Sequence, residues 1–293
     1  MVVWRGKVIP KRAYGKTGIE LSIIGFGGIV VMNADTKTSE RAVADAVEAG
    51  VNYFDVAPSY GNAEEMLGPA LRPYRDKVFL ACKTERRDAK GAREHLVESL
   101  KRLRTDWFDL YQLHAITDVE SDVEAVFAPG GAMETIVAAQ EEGLVRHIGF
   151  SAHSPAAALR AMEKFDFDSM LYPVNMACHF KTRFDQEPVR VAAAKGMAIL
   201  ALKAMARGVW DSGNTKVKRE DYPKCWYEPH TTREEILAGL RFTLSQPGVT
   251  AALPPGEERL FRLALSVAGE IEAAPPDLAA AEAAVADVMP IFK

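Results

Sequence analysis

The sequence predicts an α/β fold, a (β/α)8 TIM barrel in a single domain over residues 1–293, with an N-terminal hairpin-like segment and a long loop after strand 7. Three observations carry this expectation. Apolar, β-rich runs alternate with longer amphipathic runs along most of the chain, the pattern of βα units wound about a parallel sheet. The alternation supplies eight strand candidates, enough to close a ring. No Pro/Gly/Ser-rich stretch provides the interior linker that a doubly wound sheet with a separate small domain would need. At 293 residues, 48% of them apolar, the chain has the material for a large core.

The elements follow in order. A Gly-Lys-Thr-Gly turn at 15–18 marks the opening segment, and strands are expected at 22–27, 51–55, 78–83, 107–114, 145–151, 169–175, 198–203 and 249–253. Helical runs lie between them at 39–49, 93–103, 133–142, 155–164, 186–195 and 232–245. Ser39 suits an N-cap, Leu96, Leu100 and Leu103 share one helix face, and Pro155 after Ser154 suits a first helical turn. Residues 204–231 break the rhythm, with Gly208, Gly213, Pro223 and Pro229 among the aromatics Trp210, Tyr222, Trp226 and Tyr227. A connection this long is as a rule functional or disordered, and four large aromatics argue against disorder. Following strand seven, it would overhang the face on which barrel active sites are built. The Ala-rich stretch 275–288 reads as a surface helix.

Composition narrows the function classes. A formal charge of -4 and a pI near 5.9 argue against nucleic acid as a partner, since such binders present a basic face. The first seven residues lack the apolar core of an export signal, and no apolar run approaches the roughly 20 residues that span a bilayer. Cys82, Cys178 and Cys225 are far apart, with no Cys-x-x-Cys spacing for a metal. A cytoplasmic chain with reduced thiols, no membrane partner and no metal is the expectation.

Four polar residues carry the chemistry. Asp55, Lys83 and His114 each close an apolar strand run, and Tyr60 lies five residues beyond Asp55. Barrel sites form at the C-terminal ends of strands, so the four can converge. An ammonium beside a tyrosine favours its phenolate, so Lys83 is expected to lower the pKa of Tyr60 while Asp55 keeps Lys83 charged. His114 would hydrogen-bond a substrate oxygen. The set suits reduction of a carbonyl, where negative charge develops on oxygen.

In these residues the chain resembles the aldo-keto reductase family: a strand ending in Asp (Asp55), a Tyr-Gly five residues on (Tyr60-Gly61), and strands ending in Lys (Lys83) and His (His114). The likeness extends to Leu-Ser-Ile-Ile-Gly-Phe-Gly-Gly at 21–28, to Arg-His-Ile-Gly-Phe-Ser at 146–151 and to Asn175, covering roughly residues 11–265. It implies an (α/β)8 barrel binding NADP(H) or NAD(H) in an extended form. Hydride would pass directly to an aldehyde or ketone, with Tyr60 as proton donor, or as base on an alcohol in reverse. The absence of a Gly-x-Gly-x-x-Gly after any strand agrees, since Gly25, Gly27 and Gly28 are too closely spaced for a Rossmann fingerprint.

The resemblance also implies a cofactor set of Gly27, Gly28, Ser151, Asn175 and Gly256, with Arg259 and Arg262 available to a 2′-phosphate. Three departures mark this chain. His153 stands beside Ala152 where the family's strand five usually ends in Ser-Asn, so the Asn contact to the nicotinamide carboxamide is either lost or supplied by His153, a cofactor-binding candidate. Lys203, a candidate phosphate partner, follows Ala201-Leu202 where an aromatic usually stacks on the nicotinamide. Glu257 and Glu258 sit where basic or hydroxyl residues often meet the 2′-phosphate. The family default inclines the cofactor to NADP(H), with NAD(H) open. Trp210, Trp226 and Tyr227 are candidates for the pocket of a small carbonyl or alcohol substrate. The competing readings are a cofactor-binding sensor or regulatory subunit with little turnover, and a metal-dependent hydrolase using His114, His153 and His179. The latter lacks the paired histidines such a site needs on an early strand.

Overall fold

The computed structural model describes residues 9–210 and 213–293; the opening stretch read for an export signal and residues 211–212 of the long connection lie outside them. A hairpin comes first: Lys11–Ala13 pairs antiparallel with Glu20–Ser22 around a turn containing the left-handed Gly15 and Gly18. It caps the N-terminal end of the barrel. Tyr14 is buried there, its hydroxyl 2.8 Å from Ser169 Oγ and its ring centroid 4.9 Å from that of Phe79, at the starts of two strands.

Eight parallel strands form the ring: β1 (Phe26–Gly27), β2 (Tyr53–Asp55), β3 (Phe79–Thr84), β4 (Phe108–Ile116), β5 (Val145–Ala152), β6 (Ser169–Pro173), β7 (Ala198–Leu202) and β8 (Val249–Leu253). Each pairs with the next in sequence, and a parallel bridge between Ile24 and Ala252 closes the circle. Strand alternation sorts the side chains. Tyr53, Phe79, Ala81, Leu110, Leu171 and Leu200 fill the interior, whereas Phe54, Leu80, Cys82 and Tyr111 join the larger core shared with the helices. At roughly 1.5–3 kcal/mol per fully buried large side chain, these two layers supply most of the stabilisation.

Apart from the short helices Ala125–Phe127 and Met176–Thr182, the α-helices among the described residues are α1 (Thr36–Glu48), α2 (Ala63–Leu71), α3 (Ala89–Leu103), α4 (Ala132–Glu141), α5 (Pro155–Lys164), α6 (Gln186–Lys195), α7 (Arg233–Ser245), α8 (Glu258–Val267) and α9 (Leu278–Ala284). Their starts are written locally. Pro155 stands in the first turn of α5, as expected, with Ser154 capping it at Ala157 N, and Thr232 with Glu235 forms a capping box on α7. For α1 the cap is Asp35, not Ser39, whose hydroxyl instead donates to Asp35 O at 2.9 Å from inside the helix. The sequence reading did not anticipate α2, because Gly68 and Pro69 interrupt its pattern. Gly68 is there for packing: a Cβ would stand 2.6 Å from Leu103 Cα. None of the described helices is long and apolar enough to cross a membrane.

Most strand boundaries shift by a residue or two, and the first strand is cut back to Phe26–Gly27 because Ser22 ends the hairpin; two shifts at the C-terminal face bear on the site. The sixth strand stops at Pro173, so that Asn175 caps a short helix, Met176–Thr182. The fourth runs past His114 to Ile116 through a register shift, with Ala115 left-handed at φ 53°. Such a bulge re-aims the side chains around it. The long connection after β7 is ordered in part as a small antiparallel pair, Ala206–Gly208 with Glu228–Pro229, joined by the buried Arg207–Glu228 ion pair. From there the chain crosses the barrel mouth: Lys224 Nζ donates to Val30 O at 2.9 Å and Lys224 N to Glu257 Oε1 at 2.7 Å.

Candidate active site

Asp55, Tyr60, Lys83 and His114 meet at the C-terminal face of the barrel. Tyr53 and Asp55 on β2, Phe79, Ala81 and Lys83 on β3, and Leu110, Gln112 and His114 on β4 share the inward parity, so the first charged rung above the apolar interior is Asp55 with Lys83. Lys83 is 0% exposed and forms an ion pair with Asp55, and its Nζ also donates to Val56 O at 3.2 Å. The other carboxylate oxygen of Asp55 accepts from Tyr53 OH and Gln112 Nε2, each at 3.1 Å. Burial alone would pull the Lys83 pKa down, but Asp55 and Tyr60 outweigh it and the ammonium is held above its ordinary value.

Tyr60 follows the strand in a tight turn whose next residue, Gly61, is left-handed at φ 56°. Its ring lies 5.4 Å from Lys83 Nζ and edge-on to the His114 imidazole at 5.9 Å. Lys83 lowers the Tyr60 pKa as expected, but burial outweighs it and raises the pKa, so the phenol stays protonated at neutral pH. His114 is pushed down by burial, with Glu85, whose Oε1 lies 3.2 Å from Nδ1, pulling the other way.

The adjoining cleft is lined by Gly27, Leu202, Lys203, Lys224, Trp226, Tyr227 and Gly256, and Asp55 and Tyr60 reach into it. Ser151 Oγ accepts from Ala115 N at 2.7 Å, which leaves its hydroxyl proton free to donate. Asn175 Oδ1 accepts from Cys178 N at 2.9 Å, which fixes the amide and leaves Nδ2 buried without a partner. A buried orphan donor invites an acceptor such as a carboxamide oxygen. Lys203, left-handed at φ 64°, has its Nζ 3.2 Å from His153 Nε2 and 5.1 Å from the Phe292 ring, on which His153 stacks. Burial lowers its pKa to about 7 and that of His153 to about 3.

Other candidates lie outside this constellation. Gly28 is required by packing, since a Cβ would meet Val56 Cγ2 at 2.7 Å; a Cβ at Gly256 would likewise stand 2.2 Å from Ile29 Cγ2, although Gly256 lines the cleft. Arg259 stacks on Tyr222 at 3.9 Å and donates to Asp221 O. Arg262 donates to Asp45 at 2.7 Å and to Glu258 at 2.8 Å, so two carboxylates already answer its charge. Trp210 pins the long connection through Nε1 to Cys225 O at 3.0 Å, whereas Trp226 is 67% exposed at the rim. His179 pairs with Asp185 at 3.0 Å, and no group of three or more His, Cys, Asp or Glu among the described residues is placed to hold a metal. Sequence reasoning missed Tyr53, Gln112 and Glu85. Period-two parity from Asp55 and His114 would have found the first two.

A carboxylate-held ammonium under a protonated phenol beside a cleft at the C-terminal face of a barrel is an arrangement suited to nicotinamide-dependent oxidoreduction. The chain belongs to the aldo/keto reductase family, whose model matches residues 24–253. Among curated relatives, the uncharacterized oxidoreductase YqkF of Bacillus subtilis is 25% identical over 83% of this chain and 85% of its own. Methylglyoxal reductase DkgA of Escherichia coli K12 is 33% identical over 42% of this chain and 43% of its own. A putative aldo-keto reductase from Pseudomonas aeruginosa superposes with a TM-score of 0.72 at 25% identity, over 91% of this chain and 97% of that one. An aldo-keto reductase from Bacillus halodurans, in its holo form, shares the fold at a TM-score of 0.71 and 20% identity, over 94% and 95% of the two chains. The protein is thus an NAD(P)H-dependent oxidoreductase of a family that reduces carbonyl compounds.

Proposed function

We propose that the protein, acting as one barrel domain, reduces an aldehyde or ketone to the alcohol, or runs the reverse, with Tyr60 as the proton donor. The observation that carries this reading is the buried Asp55–Lys83 pair set beneath the Tyr60 ring. Lys83 keeps its charge because Asp55 answers it, and Asp55 is itself fixed by Tyr53 and Gln112. Tyr60 begins protonated, as a donor must, and Lys83 stabilises the phenolate left once the proton has gone to the substrate oxygen. The nicotinamide, when bound, supplies or accepts the hydride. Asn175 and Ser151 would hold its carboxamide, Gly27 and Gly256 would line its path, and Lys203 would meet a phosphate.

The resemblance inclines the choice of dinucleotide to NADP(H), but the local charges incline it to NAD(H), and we favour the latter. Glu257 and Glu258 repel a 2′-phosphate, and Arg262 is already engaged by Asp45 and Glu258. The test of the main reading follows nicotinamide absorbance with NADH and NADPH against aldehydes, ketones and quinones. Tyr60→Phe is expected to lose turnover by roughly 10²–10⁴-fold while its fluorescence still reports cofactor binding. Unchanged turnover would overturn the assignment.

A further inference from the structure

Lys203 follows β7 in the left-handed conformation, at φ 64°, in a turn closed by Ala206 N donating to Lys203 O at 2.9 Å. That conformation is uncommon for a residue bearing a side chain, and such residues gather at functional sites. Lys203 lines the same cleft as Tyr60, together with an apolar wall of Leu171, Leu202, Tyr227, Leu253 and Pro254. Its amine meets His153 Nε2 at 3.2 Å and the Phe292 ring at 5.1 Å. Among the described residues no carboxylate holds its charge; the titratable groups that face it are His153, kept neutral by burial, and the buried thiol of Cys178. The other two amines of this region are answered. Lys83, beneath the cleft, is paired with Asp55, and Lys224, in its wall, donates to Val30 O under the charges of Glu257 and Glu258.

An amine attacks a carbonyl carbon through its lone pair, which an ammonium lacks. An exposed lysine, with a pKa of about 10.4, is neutral in on the order of one molecule in a thousand near neutral pH. Lys203, brought to about 7 by burial, is neutral in a large share of molecules under the same conditions. The apolar wall also shelters a condensation product from hydrolysis.

We propose that Lys203 is a carbonyl-capturing nucleophile, whose amine condenses with small aldehydes when no cofactor fills the cleft. The lone pair of Nζ forms the C–N bond while the carbonyl π pair moves to oxygen. A proton then passes from nitrogen to oxygen through water, and loss of one water leaves the imine. The step gains and loses no electrons, so it needs no oxidant or reductant. It shares with the proposed function the premise that the cleft admits a carbonyl compound, and it does not depend on proton delivery by Tyr60. A cofactor phosphate paired with Lys203 would hold the amine charged, so capture and turnover exclude each other.

The test treats the nucleotide-free full chain with propanal and sodium cyanoborohydride, which reduces the imine to a stable secondary amine, and maps the modified lysines by peptide mass spectrometry. At about pH 7.5, Lys203 is expected to be labelled at least about tenfold faster than the surface lysines, in wild type and in Tyr60→Phe alike. Lys203→Arg is expected to lose that label with an unchanged circular dichroism spectrum; should this variant not fold, the wild-type map still decides. The rate at Lys203 is expected to level off above about pH 8, while that of surface lysines climbs beyond about pH 9. Saturating NAD+ is expected to slow it at least about tenfold. A Lys203 rate no greater than that of the surface lysines, one that climbs with theirs, or one that NAD+ leaves unchanged overturns the proposal. If no carbonyl is turned over but Lys203 is labelled, it is the role of Tyr60 that falls, and the capture stands.

Discussion

Lys83, buried beneath the cleft, and Lys203, half-buried in its lining, differ in what answers their charge. Lys83 has Asp55, and its pKa is raised; Lys203 has a neutral histidine and a phenyl ring, and burial brings it to about 7. Removing Lys83 as Lys83→Met leaves Asp55 buried without a cation. Urea unfolding is expected to show a loss of about 3–5 kcal/mol, together with the loss of turnover. For Lys203 the prediction is one of linkage. A cofactor phosphate beside it raises its pKa, so binding takes up a proton. The contribution to affinity is complete below about pH 7 and fades as pH rises through the higher pKa of the complex. Calorimetry at about pH 8 in buffers of different protonation enthalpy should find net uptake in wild type and none in Lys203→Met. Equal uptake in both would separate Lys203 from the phosphate.

Among the elements, the start of α8 is where the proposed choice of dinucleotide can be tested. Glu258 opens the helix and binds Arg262 one turn on, while Asp45 of α1 holds the same guanidinium from across the groove. Glu258→Gln removes one negative charge and releases Arg262 from one of its two acids. The kcat/KM ratio of NADPH to NADH is expected to rise about tenfold, the change that one relieved charge contact of roughly 1.4 kcal/mol produces. A ratio that stays level would place the 2′-phosphate elsewhere. The strand pattern made β2, β3 and β4 legible with Asp55, Lys83 and His114 at or near their ends, since a polar side chain closing an apolar run is conspicuous. The pairing of Arg262 was not legible, because Asp45 is 217 residues away and only the packing of α1 against α8 brings it near.

The whole barrel separates stability from chemistry between its two ends. The hairpin around Tyr14 seals the N-terminal end, and every candidate catalytic side chain lies at the other. Tyr14→Ala removes a fully buried ring and leaves Ser169 Oγ without its partner. It is expected to cost about 3–5 kcal/mol in denaturant unfolding while leaving KM for cofactor and substrate unchanged. A change in KM at equal stability would contradict this division of labour.

The sequence by itself determined the βα repeat, the inward parity of Asp55, Lys83 and His114, and the turn that carries Tyr60, because each depends on neighbours within one strand or turn. Only the tertiary structure decided the protonation of that constellation. Burial by the rest of the chain outweighed the lowering that Lys83 gives Tyr60, and Phe292, 139 residues from His153, packs against both His153 and Lys203. Desolvation and charge pairing are sums over everything packed around a group, and in this chain much of what packs around these groups comes from distant parts of the sequence.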